Sequence, residues 1–159
     1  MAGREDYFLR HVAMLRQFLA QVLKLRTAGQ LEQAMTVLMQ AQEKLFGLPP
    51  SEVSALGLEA QLRVLEAGVS SAEARERQMG YALLLKEAGL CYEVRDRAEI
   101  AADAFKTALH IVLGLAANGV VAPEPELLEL SRDLLARVPP ERVDEPMKEL
   151  LAEVARRSS

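Results

Sequence analysis

Apolar residues recur along most of this chain at steps of three and four, the spacing that gathers them on one side of a helix. Phe8, Val12, Leu15, Leu19 and Val22 form such a stripe, and Tyr7, Met14, Phe18 and Leu25 widen it. Arg10, Gln17, Gln21 and Lys24 keep the remaining face polar. The pattern predicts a first helix from about Asp6 to Thr27, with apolar surface for more than one neighbour. Ala28-Gly29-Gln30 interrupts it, and Gly29 suits the left-handed conformation that closes a helix. Leu31, Ala34, Met35, Leu38, Ala41 and Leu45 then mark a second helix over residues 31–46.

Gly47-Leu48-Pro49-Pro50 stops that helix, and Ser51, or more weakly Ser54, suits the N-cap of a shorter one over residues 52–66, with Val53, Leu56, Leu62 and Leu65 inward. After Gly68 and Ser70-Ser71 the helical spacing resumes over residues 72–94. Arg95-Asp96-Arg97 is read as a turn although it lacks glycine, followed by a helix over residues 98–117 that stops at Asn118-Gly119. Pro123 and Pro125 suit the first turn of a helix reaching about Val138. A last helix is expected from near Asp144 or Pro146, fraying at Arg156-Arg157. In these two, Leu127, Leu130, Leu134, Leu150 and Val154 face inward. The expectation is one all-α domain over residues 1–159 with about seven helices and no low-complexity linker.

Composition agrees. Half of the 159 residues are hydrophobic, chiefly Leu and Ala, and only 4% are aromatic, which favours helices packed on helices. A domain of this length buries roughly two thirds of its unfolded-chain surface. The net charge is −4, with six basic and four acidic groups in residues 1–46 and six and nine in residues 123–159. No dense Lys/Arg tract is present, so no nucleic-acid partner is expected. Cys91 is the single cysteine and sits in the apolar run Leu90-Cys91-Tyr92, as a packed side chain would. The early charges Arg4, Glu5 and Asp6 are unlike a signal peptide, and no uninterrupted apolar run approaches the ~20 residues of a membrane span. The expected address is the cytoplasm, without a membrane partner.

Catalytic apparatus is not legible. His11 and His110 belong to no His-x3-His, Glu-x2-His or Cys-x2-Cys spacing, so no metal and no cofactor is expected. Gly-rich phosphate loops and the Gly-x-Ser-x-Gly elbow are missing. Acidic pairs such as Glu124 and Glu126, or Asp144 and Glu145, stand at helix starts, where they favour the helix dipole. The chain is not expected to be an enzyme.

Two stretches share a pattern of small and large residues. In one, Leu85, Ala88, Gly89 and Tyr92 lie on one helix and Ala101, Phe105 and Ala108 on the next. Small residues at Ala88, Gly89, Ala101 and Ala108 let two helices approach closely, while Leu85, Tyr92 and Phe105 fill the flanks. This order resembles the tetratricopeptide repeat. In the other stretch, Gly29-Gln30-Leu31-Glu32-Gln33-Ala34 resembles that family's turn, and Leu38 and Ala41 follow in place. Val22 stands where a small residue is expected, and Asp96 replaces the turn glycine of the later stretch. The offset from Ala41 to Ala108 is 67 residues, close to twice the usual period of about 34. The Asp6-Tyr7 start, Leu45-Phe46-Gly47-Leu48 and Leu84-Leu85-Lys86-Glu87-Ala88-Gly89 also resemble a group of uncharacterised bacterial tetratricopeptide-like proteins, a likeness that implies the fold and no activity.

The resemblance implies a right-handed α-solenoid of antiparallel helices. Its parts would be a first pair over residues 6–46, an irregular helix over 52–66, a second pair over 72–117 and capping helices over 123–157. It implies a protein–protein interaction module, an adaptor or regulatory subunit, whose first helices line a groove. Carried over by spacing, that groove comprises Arg16, Leu19, Leu23 and Arg26 from the first stretch and Leu83, Lys86, Leu90 and Glu93 from the second. An apolar stripe flanked by Arg and Lys suits a peptide with acidic flanks. The family's carboxylate clamp is not expected, because Leu90 stands in place of its asparagine. The broad first helix has no evident cap, which suggests homodimerisation or partner binding through it. Two other functions fit the chain: a small acidic chaperone of a secreted substrate, and a small-molecule-binding helical bundle, which would need an enclosed cavity.

Overall fold

A computed structural model describes residues 2–119 and 122–158, with side chains from residue 7 onward; the Asp6 side chain of the expected Asp6-Tyr7 start lies outside the described residues. The described residues form eight α-helices and no strand. They are α1 (Ala2–Thr27), α2 (Leu31–Phe46), α3 (Pro50–Ala55), α4 (Leu58–Glu66), α5 (Ser71–Val94), α6 (Ala98–Ala117), α7 (Pro125–Arg137) and α8 (Glu145–Arg157). A single 3-10 turn, Pro140–Arg142, precedes α8.

The helix ends follow from local chemistry. Gly29 and Gly47 have φ of 77° and 68°, and they close α1 and α2 in the left-handed region. Asp96 takes φ 57° between α5 and α6, doing the work of the missing glycine, as short polar side chains can. The Ser70 hydroxyl accepts the Glu73 N–H at 3.2 Å and starts α5, and Asp144 accepts from Met147 at 3.0 Å and starts α8.

Four sequence expectations change. The single helix over 52–66 is two, because Leu56 and Gly57 adopt extended backbone between α3 and α4. Gln61 Nε2 bridges that break, donating to Leu56 O at 3.2 Å and, beside the Leu56 N–H, to Val53 O at 3.0 Å. Ser51 is not the cap, since α3 already starts at Pro50, whose missing N–H costs nothing in a first turn. Pro123 lies before α7, which begins at Pro125. Tyr7, assigned to the apolar stripe of α1, is 56% exposed.

The core centres on α6. Ala101, Phe105, Ala108, Leu109, Val112 and Leu113 are buried, and α5 packs on α6 more extensively than any other pair does. By length and mean hydropathy α6 also matches a membrane span, a test that the core helix of a folded domain passes equally. At the closest approach a Cβ built on Gly89 would lie 2.5 Å from the Phe105 ring, so glycine is what admits that ring. The Arg137 guanidinium covers the ring at 5.6 Å from its centroid. α7 and α8 pack on α6, while α4 packs on α5. α1 packs on α2 and α5, and α2 also reaches α5.

Candidate partner-binding face

Two contacts set how α1 lies against α5. Leu15 Cδ1 stands 2.9 Å from where a Gly80 Cβ would be. Eleven residues further along α1, Arg26 Nε donates to Glu87 Oε2 at 2.7 Å. The contacts advance together along both helices, so α1 and α5 run in the same sense. Nearer the helix starts, His11 is 8% exposed, its Nε2 has no hydrogen-bond partner among the described residues, and the charges of Arg77 and Glu73 of α5 act on it. Burial lowers the His11 pKa, the Arg77 charge lowers it further and Glu73 opposes them, so the ring resists protonation more than a free histidine does. Arg77 is itself paired to Glu73 at 3.3 Å.

This geometry fixes where the expected site residues point. An α-helix turns about 100° per residue, so Leu19 and Leu23 sit roughly 40° and 80° round α1 from Leu15 in one sense. Leu83 and Leu90 sit roughly 60° and 80° round α5 from Gly80 in the other sense. On helices running the same way, opposite offsets bring the four leucines to one side of the pair. α2 covers the other side, where the Phe46 and Tyr81 rings meet edge to face with centroids 4.8 Å apart. Leu23 is 47% exposed, and Leu19, Leu83 and Leu90 are half-buried.

The charges that flank the leucines are mostly satisfied within the chain. Arg26 is held by Glu87. Lys86 Nζ lies 2.9 Å from Asp133 of α7, and Glu93 pairs with Arg137 of the same helix at 3.6 Å. Arg137 also approaches Asp133 at 3.4 Å. The Lys86 ammonium, with a smaller contribution from Arg137, holds the Asp133 carboxyl below its usual range. Two of the three basic groups expected to receive acidic flanks are therefore neutralised already. Arg16 is exposed and has no ionic partner among the described residues. The face is a leucine floor on α1 and α5 with a paired ionic rim on α7 and one open cation. The contributions of Glu87, Asp133 and Arg137 were not foreseen, and only the four-residue spacing of Asp133 and Arg137 hinted at one of the pairs.

At the other end of α5 an open cleft of about 840 Å³ lies between α4, α5, α6 and α8. Leu62, Val69, Ile111 and Leu115 line it together with Arg75, Gln78 and His110. Arg75 is engaged there, donating to Leu115 O at 3.4 Å and to Glu124 Oε1 at 3.1 Å. Among the described residues no three His, Cys, Asp or Glu side chains cluster as metal ligands would. Cys91 is buried, and burial raises its thiol pKa, the reverse of what an activated nucleophile needs. Comparison with family models, curated proteins and solved structures finds no match.

Proposed function

We propose that this chain is a cytoplasmic protein–protein interaction module of tetratricopeptide-like build, which receives an apolar segment of a partner on the α1–α5 face. The observation that carries this reading is the placement of Leu19, Leu23, Leu83 and Leu90 on the side of α1 and α5 away from α2, with Leu23 47% exposed. Paired leucines on neighbouring helices, flanked by polar groups, are what a docked apolar segment needs. The repeat-like build is supported by the small contact at Gly89 against Phe105 and by α1 and α5 running in the same sense. The neutralised rim supports a partner chosen chiefly by its apolar residues. An adaptor or regulatory role follows from a face built to hold another protein.

The test is affinity purification from the native host with the wild-type chain and with Leu23→Glu and Leu83→Glu. A shared partner retained by the wild type and lost by both variants is expected. Identical partner sets from all three chains, each folded by circular dichroism, would sink the proposal.

A further inference from the structure

One side of α1 continues the leucine face beyond the four leucines towards the helix start. Leu9, Val12, Arg16, Leu19 and Leu23 follow one another at steps of three, four, three and four. That alternation keeps side chains on a seam along a helix and is the spacing with which two helices interlock. Leu9 is 59% exposed and Leu23 47%, Arg16 is exposed, and Val12 and Leu19 are half-buried at the edge nearer the core. The seam spans four turns, roughly 21 Å at 1.5 Å per residue. Ala13 and Ala20, both exposed, stand on its outer flank, where their small side chains leave room for another backbone. The core side of α1 is separate, with His11, Leu15 and Val22 buried.

Arg16 decides what occupies the seam. It is the middle one of the five positions. Two copies of α1 paired in register, whether parallel or antiparallel, would bring Arg16 against Arg16 at the centre of an apolar contact. Like charges placed directly together in a desolvated interface oppose association. A different helix with an acidic residue at its middle seam position meets the same Arg16 with a charge-assisted contact. We infer that α1 presents a half-seam for an amphipathic helix of another protein, one with apolar residues at alternating steps of three and four and an Asp or Glu opposite Arg16. This rests on the reading of the α1–α5 face as a partner-binding surface and narrows it to a helical occupant centred on α1.

The probe is a synthetic peptide of about 24 residues with leucines at the seam spacing and one central Glu. An otherwise identical peptide carries Lys there, and both are used below the concentration at which they self-associate. Binding to the full-length chain is followed by fluorescence anisotropy. The Glu peptide should bind at least about tenfold more tightly than the Lys peptide, a difference of about 1.4 kcal/mol. Arg16→Glu should invert that preference, and Leu9→Glu should abolish binding although Leu9 lies beyond the four-leucine floor. Equal binding of the two peptides overturns the role of Arg16. Loss of binding with Leu83→Glu but not with Leu9→Glu places the occupant across α1 and α5, which overturns the seam and leaves the module reading standing. A native partner still lost by Leu23→Glu when neither peptide binds has the same effect. A concentration-dependent dimer in light scattering, dispersed by Leu23→Glu, makes the occupant a second copy and overturns the inference.

Discussion

Replacing Gly89 with alanine puts a methyl carbon 2.5, 2.7 and 2.9 Å from three carbons of the Phe105 ring, distances that no relaxed side chain tolerates. The ring has little room to retreat, since Phe105 is 1% exposed and the Arg137 guanidinium lies against it. Overpacking of this kind costs about 1–3 kcal/mol. Alanine in mid-helix returns about 0.8–1.0 kcal/mol relative to glycine. The net expectation for Gly89→Ala is destabilisation of about 0–2 kcal/mol, and more for Gly89→Leu. Two other helical glycines calibrate the reasoning. A Cβ on Gly114 meets nothing within 4 Å, so Gly114→Ala should stabilise by about 0.5–1 kcal/mol. Gly80→Ala meets only the tip of Leu15 at 2.9 Å and should fall between the two. Urea unfolding followed by circular dichroism gives all three values, and each 1 kcal/mol moves the melting temperature by about 2–4 °C in a domain of this size. Phe105→Leu as a second substitution should reduce the loss caused by Gly89→Ala. If Gly89→Ala stabilises as much as Gly114→Ala, the close approach of α5 and α6 is not what glycine serves there, and the proposed repeat-like build loses its main support.

Tyr81 donates to Gln61 Oε1 at 2.8 Å, and burial pushes its phenol up to about 12. Tyr81→Phe strands a buried amide oxygen and should cost about 1–3 kcal/mol in urea unfolding, whereas an exposed side chain would lose almost nothing. Ser70→Ala removes the cap of α5 and should cost about 1 kcal/mol, seen as faster hydrogen exchange in its first turn. The pH dependence follows from His11. An unfolded histidine takes up a proton below about pH 6.5, whereas the folded ring resists until lower pH, so acid favours the unfolded chain. Stability should therefore fall as pH drops below about 6.5, by less than about 1.4 kcal/mol per pH unit for this one proton. His11→Leu should flatten that part of the profile; an unchanged slope would place the titrating group elsewhere.

Much of the fold was readable because helix ends are local chemistry. The bounds of α2 follow from Gly29 and Gly47, both of which adopt positive φ. The turn after α5 was placed correctly without a glycine, since Asp96 tolerates the same conformation. The break between α3 and α4 was missed because Gln61, not the local spacing, makes it tolerable: its amide donates to the Val53 and Leu56 carbonyls and its oxygen is held by Tyr81. The four leucines came from the resemblance carried over by spacing, and spacing says nothing of the charges set around them. Whether Arg26 and Lys86 stay open to a partner depends on Glu87 and Asp133, which reach them from other helices. Such pairings are tertiary facts, and periodicity does not carry them.

The contact between Arg26 and Glu87 joins residues 61 apart, and it has a consequence for how the chain is made. At about 5–20 residues per second, Glu87 is added roughly 3–12 s after the α1 residue it must meet. During that interval Leu15 lacks the helix that later packs on it, so the nascent first pair carries an apolar side that the finished protein hides. Substitutions that weaken the α1–α5 contact should therefore lower the yield of folded protein during synthesis before they register as lower equilibrium stability.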